Sequence, residues 1–370
     1  MSPDDAVLAF VQASAREPRP WRDALRSAGS VQALLAMPPR ELRGHGLDDD
    51  AIRRLHRPER ELVAHWRDWL APPAHTLLTL DSPAYPARLA ETPDAPLALW
   101  ACGAHRELID APQIAVVGSR NPTIGGESTA EAFAHFFAAS GVTVTSGLAM
   151  GIDAAAHRGA LSGTGGTVAV LGCGIDRVYP PCNAALAAEI AAAGVLVSEY
   201  PPGTPARAHR FPQRNRIIAG LVLGVLVVEA TRRSGSLITA RLANDYGREV
   251  FAIPGSIHNA LSRGCHKLLR DGAKLVEEGA DVLVEFAPLI AFEPTAQASG
   301  AEDLGGPSVD DPARAKLAKM LGFAPVTCAD LAARAGLTAA EVSSMLLLLE
   351  LDGQIEALPG GRYCRLAKRS

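Results

Sequence analysis

Between Gln113 and Gly255 the chain alternates short apolar runs with stretches of helical period. The runs are IAVV (114–117), VTVT (142–145), TVAVL (167–171), VLVS (195–198), VLVVE (225–229) and VFAI (250–253). Apolar runs of this length have strand character. Helix-compatible segments lie between them, beginning near Glu127, Gly151, Asn183, Gln213 and Ser236. Strict alternation of strand and helix predicts parallel pairing through right-handed crossovers, so the fold class is α/β with a doubly wound, mostly parallel sheet. In such sheets ligands bind beyond the carboxyl ends of the strands.

The flanks have a different texture. Residues 1–72 are rich in Arg, Ala and Pro, with helical spacing in VLAFVQASA and ELVAHWRDWLA, and predict a small helical domain. Gly44-His45-Gly46 joins two short helices there, as a plain helical hairpin or as a turn presenting backbone N–H groups to a phosphate. The Pro-broken stretch from residue 76 to 103 predicts a lead-in strand region, and the sheet domain runs over 76–288. Residues 289–310 have the small-residue, Pro and acidic composition of a linker. Residues 311–370 predict a winged helix with a wing turning at Pro359-Gly360-Gly361. Its third helix, Thr338 to Leu351, holds Glu341 and Glu350 and no Lys or Arg, so the module is expected to contact protein or the rest of its own chain and not to read sequence, with Arg362, Arg365, Lys368 and Arg369 leaving non-specific contact open.

Composition narrows the function. The 36 Lys+Arg against 40 Asp+Glu give a net charge of −4, so a polyanion site must be a local patch. Six cysteines without a C-x-x-C pair signal neither a zinc site nor a disulfide framework, and fit a reducing cytoplasm. Asp4 and Asp5 stand where a secretory signal needs positive charge. The longest apolar run, Ile217 to Val228, is too short to span a bilayer, so a soluble protein without membrane attachment is expected.

One stretch is unusually cationic. No acid occurs from Tyr200 to Val228, while Arg207, Arg210, Arg214 and Arg216 fall within ten positions around Phe211. Guanidinium groups match phosphates in two-pronged geometry and an exposed ring stacks any base, which together suit single-stranded nucleic acid. The alternative is that Phe211 is core and the arginines a solvated helix face. Small residues collect at the strand exits: Gly118-Ser119-Arg120, Ser146-Gly147, Gly172-Cys173-Gly174 with Tyr179-Pro180, and Ser234-Gly235-Ser236. They could let backbone amides approach a phosphate track. No Lys-Ser/Thr follows Gly125, and Gly172-x-Gly174 lacks a third glycine, so no classical nucleotide loop is supported. Asp153 and His157, one helical turn apart, read as a catalytic pair or, more simply, as a helix-start acid with a locally bonded histidine. The serines lack G-x-S-x-G context and read as caps.

The motifs GSRNPTIGG, SGLAMGIDAAAHRGAL, GTVAVLGCGIDRVYPPCNAAL, GVLVSEYPPG, FPQRNRIIAGL, VVEATRRSGSLITARLANDYGREVFAIPG and GAKLV follow one another over about residues 76–285. In this order they resemble the DprA/Smf family of DNA-processing proteins. The resemblance implies an extended Rossmann-like domain and a homodimer that binds single-stranded DNA, protects it, and loads the RecA recombinase during natural transformation. It implies no cofactor, no metal and no catalysis. By motif, the family's DNA pocket falls on Gly118, Ser119, Arg120, Ser146, Gly147, Phe211, Arg214, Asn215 and Arg216. Ser234, Gly235 and Thr239 line its far side, with Arg210 a further candidate. In that assignment Arg120, Arg214 and Arg216 hold phosphates, Phe211 stacks a base, and Asn215 orients neighbours or meets a base edge. The chain departs from the family pattern at Gly264-Cys265-His266-Lys267. Two rivals stand beside this reading. One is a nucleotide phosphoribohydrolase on the same fold, against which Pro254-Gly255-Ser256-Ile257 is followed by no Glu until Glu277. The other is a duplex-binding regulator acting through the winged helix.

Overall fold

The computed structural model describes residues 3–15, 18–291, 326–327, 342, 346, 355–358 and 362–365. Six helices open the chain: α1 (Pro3–Ser14), α2 (Pro18–Ala28), α3 (Val31–Ala36), α4 (Pro39–Gly44), α5 (Asp49–His56) and α6 (Arg60–Leu70). Ser30 and Asp48 cap α3 and α5 by accepting from Ala33 N and Ala51 N. Then come β1 (His75–Thr79), α7 (Ala87–Ala90) and β2 (Ala98–Cys102), the antiparallel lead-in pair.

The alternating section follows as β3 (Gln113–Val117), α8 (Ile124–Ala139), β4 (Thr143–Ser146), α9 (Ile152–Ala160), β5 (Thr167–Val170), α10 (Ala184–Ala193) and β6 (Val195–Ser198). It continues with α11 (Arg210–Leu221), β7 (Gly224–Val227), α12 (Ser236–Asp245), β8 (Glu249–Ala252), α13 (Arg263–Arg270), β9 (Lys274–Leu275) and α14 (Gly279–Ala291). The nine strands form one sheet in the order β1-β2-β6-β5-β4-β3-β7-β8-β9, parallel from β6 to β9, with β2 antiparallel to β6. All six apolar runs are strands, as their pattern predicts. The short strand β9 at the edge carried too few apolar residues to be read. Residues 1–293 make one compact unit and 294–370 a second. In the second, β10 (Val326–Thr327), β11 (Ile355–Leu358) and β12 (Arg362–Arg365) form a three-stranded antiparallel sheet. The predicted recognition helix, Thr338 to Leu351, and the turn at 359–361 lie outside the described residues apart from Val342 and Leu346.

Side-chain alternation along the central strands splits the core into two layers. Ile114 and Val116 of β3 pack with α8, α9 and α14, while Ala115 and Val117 pack with α11 and α12. A third cluster joins the sheet to the opening helices. Trp100 of β2 meets Trp66 and Trp69 of α6 edge-on, each at 5.6 Å between ring centroids. The helical region is therefore fused to the sheet by aromatic burial. A polar latch reinforces the junction: Arg22 of α2 donates to Pro93 O and Ala95 O, Arg216 to Asp94 O, and the Tyr246 hydroxyl to the Asp94 carboxylate.

Because Trp100 is fully buried between these layers, Trp100→Ala is expected to cost about 3–5 kcal/mol. In urea unfolding followed by circular dichroism, residues 1–293 should melt in one transition that moves to lower urea in the variant. A helical region that melts separately, with the sheet unaffected, would contradict the shared core.

Candidate nucleic-acid interface

The strand order reverses between β3 and β7: chain connections run outward from this pair in opposite directions, which opens a crevice at the carboxyl ends. A cleft of about 390 Å³ occupies it. Its walls come from the loop after β3, the loop after β7 and the first turns of α11. Gly118, Ser119, Arg120, Phe211, Arg214, Asn215, Ser234, Gly235 and Thr239 all line it. Segments more than 100 positions apart in sequence thus meet at one rim.

Four of the anticipated residues do not line the cleft. Ser146 is buried and its hydroxyl donates to Val116 O at 2.7 Å, tying β4 to β3. Gly147 is buried against Arg214: a Cβ there would sit 2.1 Å from the Arg214 Nη1. Its absence of a side chain is what makes room for the guanidinium. Arg210 lies over the Tyr200 ring, 4.8 Å from its centroid, and donates to Pro205 O. Arg216 pairs with Glu199 and reaches the Asp94 latch. Its charge is spent inside the protein, so the expectation that Arg216 holds a phosphate is corrected.

Arg214 needs the same correction. It lines the floor of the cleft but is only 3 % exposed. Helical period gives the reason. Arg214, Ile217, Ile218 and Leu221 fall on the inward stripe of α11, whereas Phe211 and Asn215, four apart, share the adjoining stripe that reaches the cleft. The arginines of this stretch therefore point in different directions and are not one surface. Arg214 donates to Val170 O, its Nε has no hydrogen-bond partner, and Asp153 is its counter-charge. Burial pushes the Arg214 pKa down and the Asp153 carboxyl up, and each charge offsets part of the other's shift. Asp153 also accepts from Gly147 N and Ala149 N at 3.2 and 3.4 Å, so the pair fixes the whole loop after β4. In that loop Leu148 holds a φ of 56° and Gly151 one of 76°.

His157 is fully buried, and the simpler reading of it holds. Thr167 Oγ1 donates to Val144 O, so its oxygen accepts from the His157 Nδ1–H at 2.7 Å, and Nε2 is left bare. Burial, with the Arg214 charge nearby, lowers its pKa to about 3. Helix α8 is also internally satisfied at its start, because Glu229 accepts from both the backbone N–H and the hydroxyl of its cap, Thr123. A phosphate gains nothing there.

At the mouth, Arg120 is exposed and its guanidinium carbon lies 6.0 Å from the centre of the Phe211 ring. Phe211 is half-buried and not fully exposed as anticipated. One edge of its ring rests on Gly172, where a Cβ would come within 2.7 Å. Tyr179, 49 % exposed, lies beside it at 5.1 Å between centroids and 36° between planes. Tyr179 was visible at a strand exit but carried no spacing signal to link it to Phe211. Among the described residues no group of His, Cys, Asp and Glu is placed to hold a metal.

Removing Arg214 strands the buried Asp153 charge, so Arg214→Ala is expected to cost about 3–5 kcal/mol by denaturant unfolding. Adding Asp153→Asn should recover part of that loss; an additive further loss would show the two do not act as a pair. The depressed His157 pKa means the unfolded chain takes up a proton before the folded one does. Stability should be complete above about pH 6.5 and fall as pH drops toward 3. Unfolding midpoints at stepped pH check this, and His157→Asn should flatten that part of the profile.

The family pattern of DNA recombination-mediator protein A matches residues 76–287, and that of the DprA winged helix domain matches 294–361. Protein Smf of Escherichia coli is 45 % identical over 302 residues, covering 81 % of this chain and 80 % of its own length. DNA processing protein DprA of Streptococcus pneumoniae is 48 % identical over 202 residues, 55 % of this chain and 71 % of the relative. The solved structure of Streptococcus pneumoniae DprA superposes with a TM-score of 0.68 at 36 % identity, covering 77 % of this chain and 99 % of that one. A Helicobacter pylori DprA structure, described for its single-stranded DNA binding mode, has a TM-score of 0.51 at 28 % identity and covers 57 % and 95 %. Fold, switch-point cleft and matched motifs together establish that this chain belongs to the DprA/Smf family of DNA-processing proteins.

Proposed function

We propose that the cleft binds single-stranded DNA by occupancy, without bond breaking. The observation that carries this reading is the mouth: an exposed Arg120 beside a paired aromatic surface, Phe211 and Tyr179. A base stacks on the rings while the guanidinium takes the adjoining phosphate. Under the floor Arg214 and Asp153 offset one another, so the positive charge offered to a strand is that of Arg120 at the mouth. The single-strand binding described for the Helicobacter pylori relative supports the same assignment. Asn215, whose side chain donates to Gly235 O at 3.3 Å, holds the two walls in register.

We further propose that the protein works as a homodimer and promotes RecA assembly on the strands it covers, as the family resemblance implies. Leu275 on the outer strand β9 and Val284 on α14 are 52 % and 71 % exposed and give apolar surface that a second copy can cover. Two clefts on one strand raise avidity. Sedimentation as a monomer at micromolar concentration would remove the dimer. RecA filaments that grow no faster with the protein present would remove the loading role. Release of free base from nucleoside monophosphates would instead support the hydrolase reading.

Titration of a fluorescent single strand tests the roles at the mouth. Arg120→Ala should weaken binding and lower the dependence of log K on log salt by about 0.7, one phosphate's worth. Phe211→Leu should weaken binding by up to about 1–3 kcal/mol with the salt slope unchanged. Equal slopes for the two variants, or equal retardation of duplex and single strand by the parent protein, would contradict the assignment.

A further inference from the structure

Glu229 follows β7 at the reversal of strand order and is buried, 8 % exposed. Among the described residues no Lys, Arg or His nitrogen lies within 4.0 Å of its carboxylate. Its hydrogen bonds come from the start of α8 instead: Thr123 N donates to Oε2 at 2.8 Å, and the Thr123 hydroxyl donates to Oε1 at 2.7 Å. Thr123 Oγ1 in turn accepts from Gly126 N at 2.9 Å. Gly126 leaves the carboxylate its room, because a Cβ there would come within 2.5 Å of the Glu229 Cδ. Gly118 lets the two loops meet, since its Cβ would lie 2.9 Å from Glu229 O. A buried anion without a counter-ion is costly, and here the positive end of a 16-residue helix stands in for the cation.

In doubly wound sheets that bind nucleotides, the phosphate sits on the N–H groups of the helix that follows the first parallel strand. Here that helix is α8, and Glu229 already holds a carboxylate on its first turn. We propose that Glu229 is a specificity-determining residue: by filling the anion seat at the start of α8 it refuses free nucleotides and leaves the cleft to strands. This rests on the cleft being a single-strand site. The two ligands differ in what they need. One stacked base is too weak to hold a nucleotide at millimolar concentration, and an exposed guanidinium such as Arg120 adds little more, so a nucleotide depends on a built phosphate seat. A strand binds through several bases and phosphates at once and does without it. Discrimination of this kind comes from denying the competitor a contact, and Glu229 does so without touching the strand.

Glu229→Ala in the full chain tests this. Adenosine monophosphate should fail to displace a fluorescent oligothymidine from the parent protein and should displace it from the variant, with an affinity gain of at least about tenfold from the charged hydrogen bonds it recovers. At constant ionic strength the nucleotide or inorganic phosphate should raise the thermal midpoint of the variant and leave that of the parent unmoved, because either binds only where the seat is empty. Should the variant not fold unaided, phosphate or acetate should restore it by replacing the missing carboxylate, and no restoration would overturn the proposal. Displacement of the strand from the parent by the nucleotide would overturn it too, as would a folded variant from which the nucleotide still cannot displace the strand. If the parent fails to bind oligothymidine at all, the cleft reading itself is wrong, while the thermal midpoints with and without nucleotide still decide the role of Glu229.

Discussion

Everything at the rim depends on one buried guanidinium, that of Arg214, with the Asp153 carboxylate as its nearby opposite charge. The two groups lie where β4 and β5 deliver their loops; each charge offsets part of the other's burial cost, Val170 O accepts from Arg214, and Gly147 N and Ala149 N donate to Asp153. Glycine at 147 is the geometric condition, since any side chain would occupy the guanidinium's place. From this fixed point the loop after β4 takes its course, α11 is set at its depth, and Phe211 comes to rest on Gly172. Phe211 is thus positioned by a guanidinium that is almost wholly buried.

The same logic separates the arginines of α11 by role. Arg210 lies on Tyr200, Arg214 supports the floor, and Arg216 ties the sheet to residues 93–95 and so to the opening helices. Charge density along the sequence would make them one cationic surface. Helical rotation of about 100° per residue distributes them over three environments. The charge available at the cleft mouth comes mainly from Arg120, which arrives from a different strand.

What could be read in advance follows from this. The sheet was legible because six short apolar runs alternate with helix-compatible segments, and the crevice followed from that alternation and the rule for where such sheets bind ligands. Nine of the thirteen anticipated site positions line the cleft because family motifs mark strand exits, and strand exits converge at the switch point. Burial of Arg214 and Arg216 was not legible, since it depends on Asp153, Glu199 and Asp94 arriving from elsewhere in the chain. Tyr179 was missed for a like reason: its neighbour Phe211 is 32 positions away, and only the fold sets their rings 5.1 Å apart. The predicted helix at 338–351 lies outside the described residues apart from Val342 and Leu346.

The central claim is that the aromatic mouth of the switch-point cleft is where a single strand sits. Ultraviolet crosslinking of a short oligothymidine to the full chain, with the adducts mapped by mass spectrometry, addresses it directly. The account predicts adducts on peptides holding Phe211 and Tyr179. Adducts confined to the region 326–365, with none at these two residues, would contradict it.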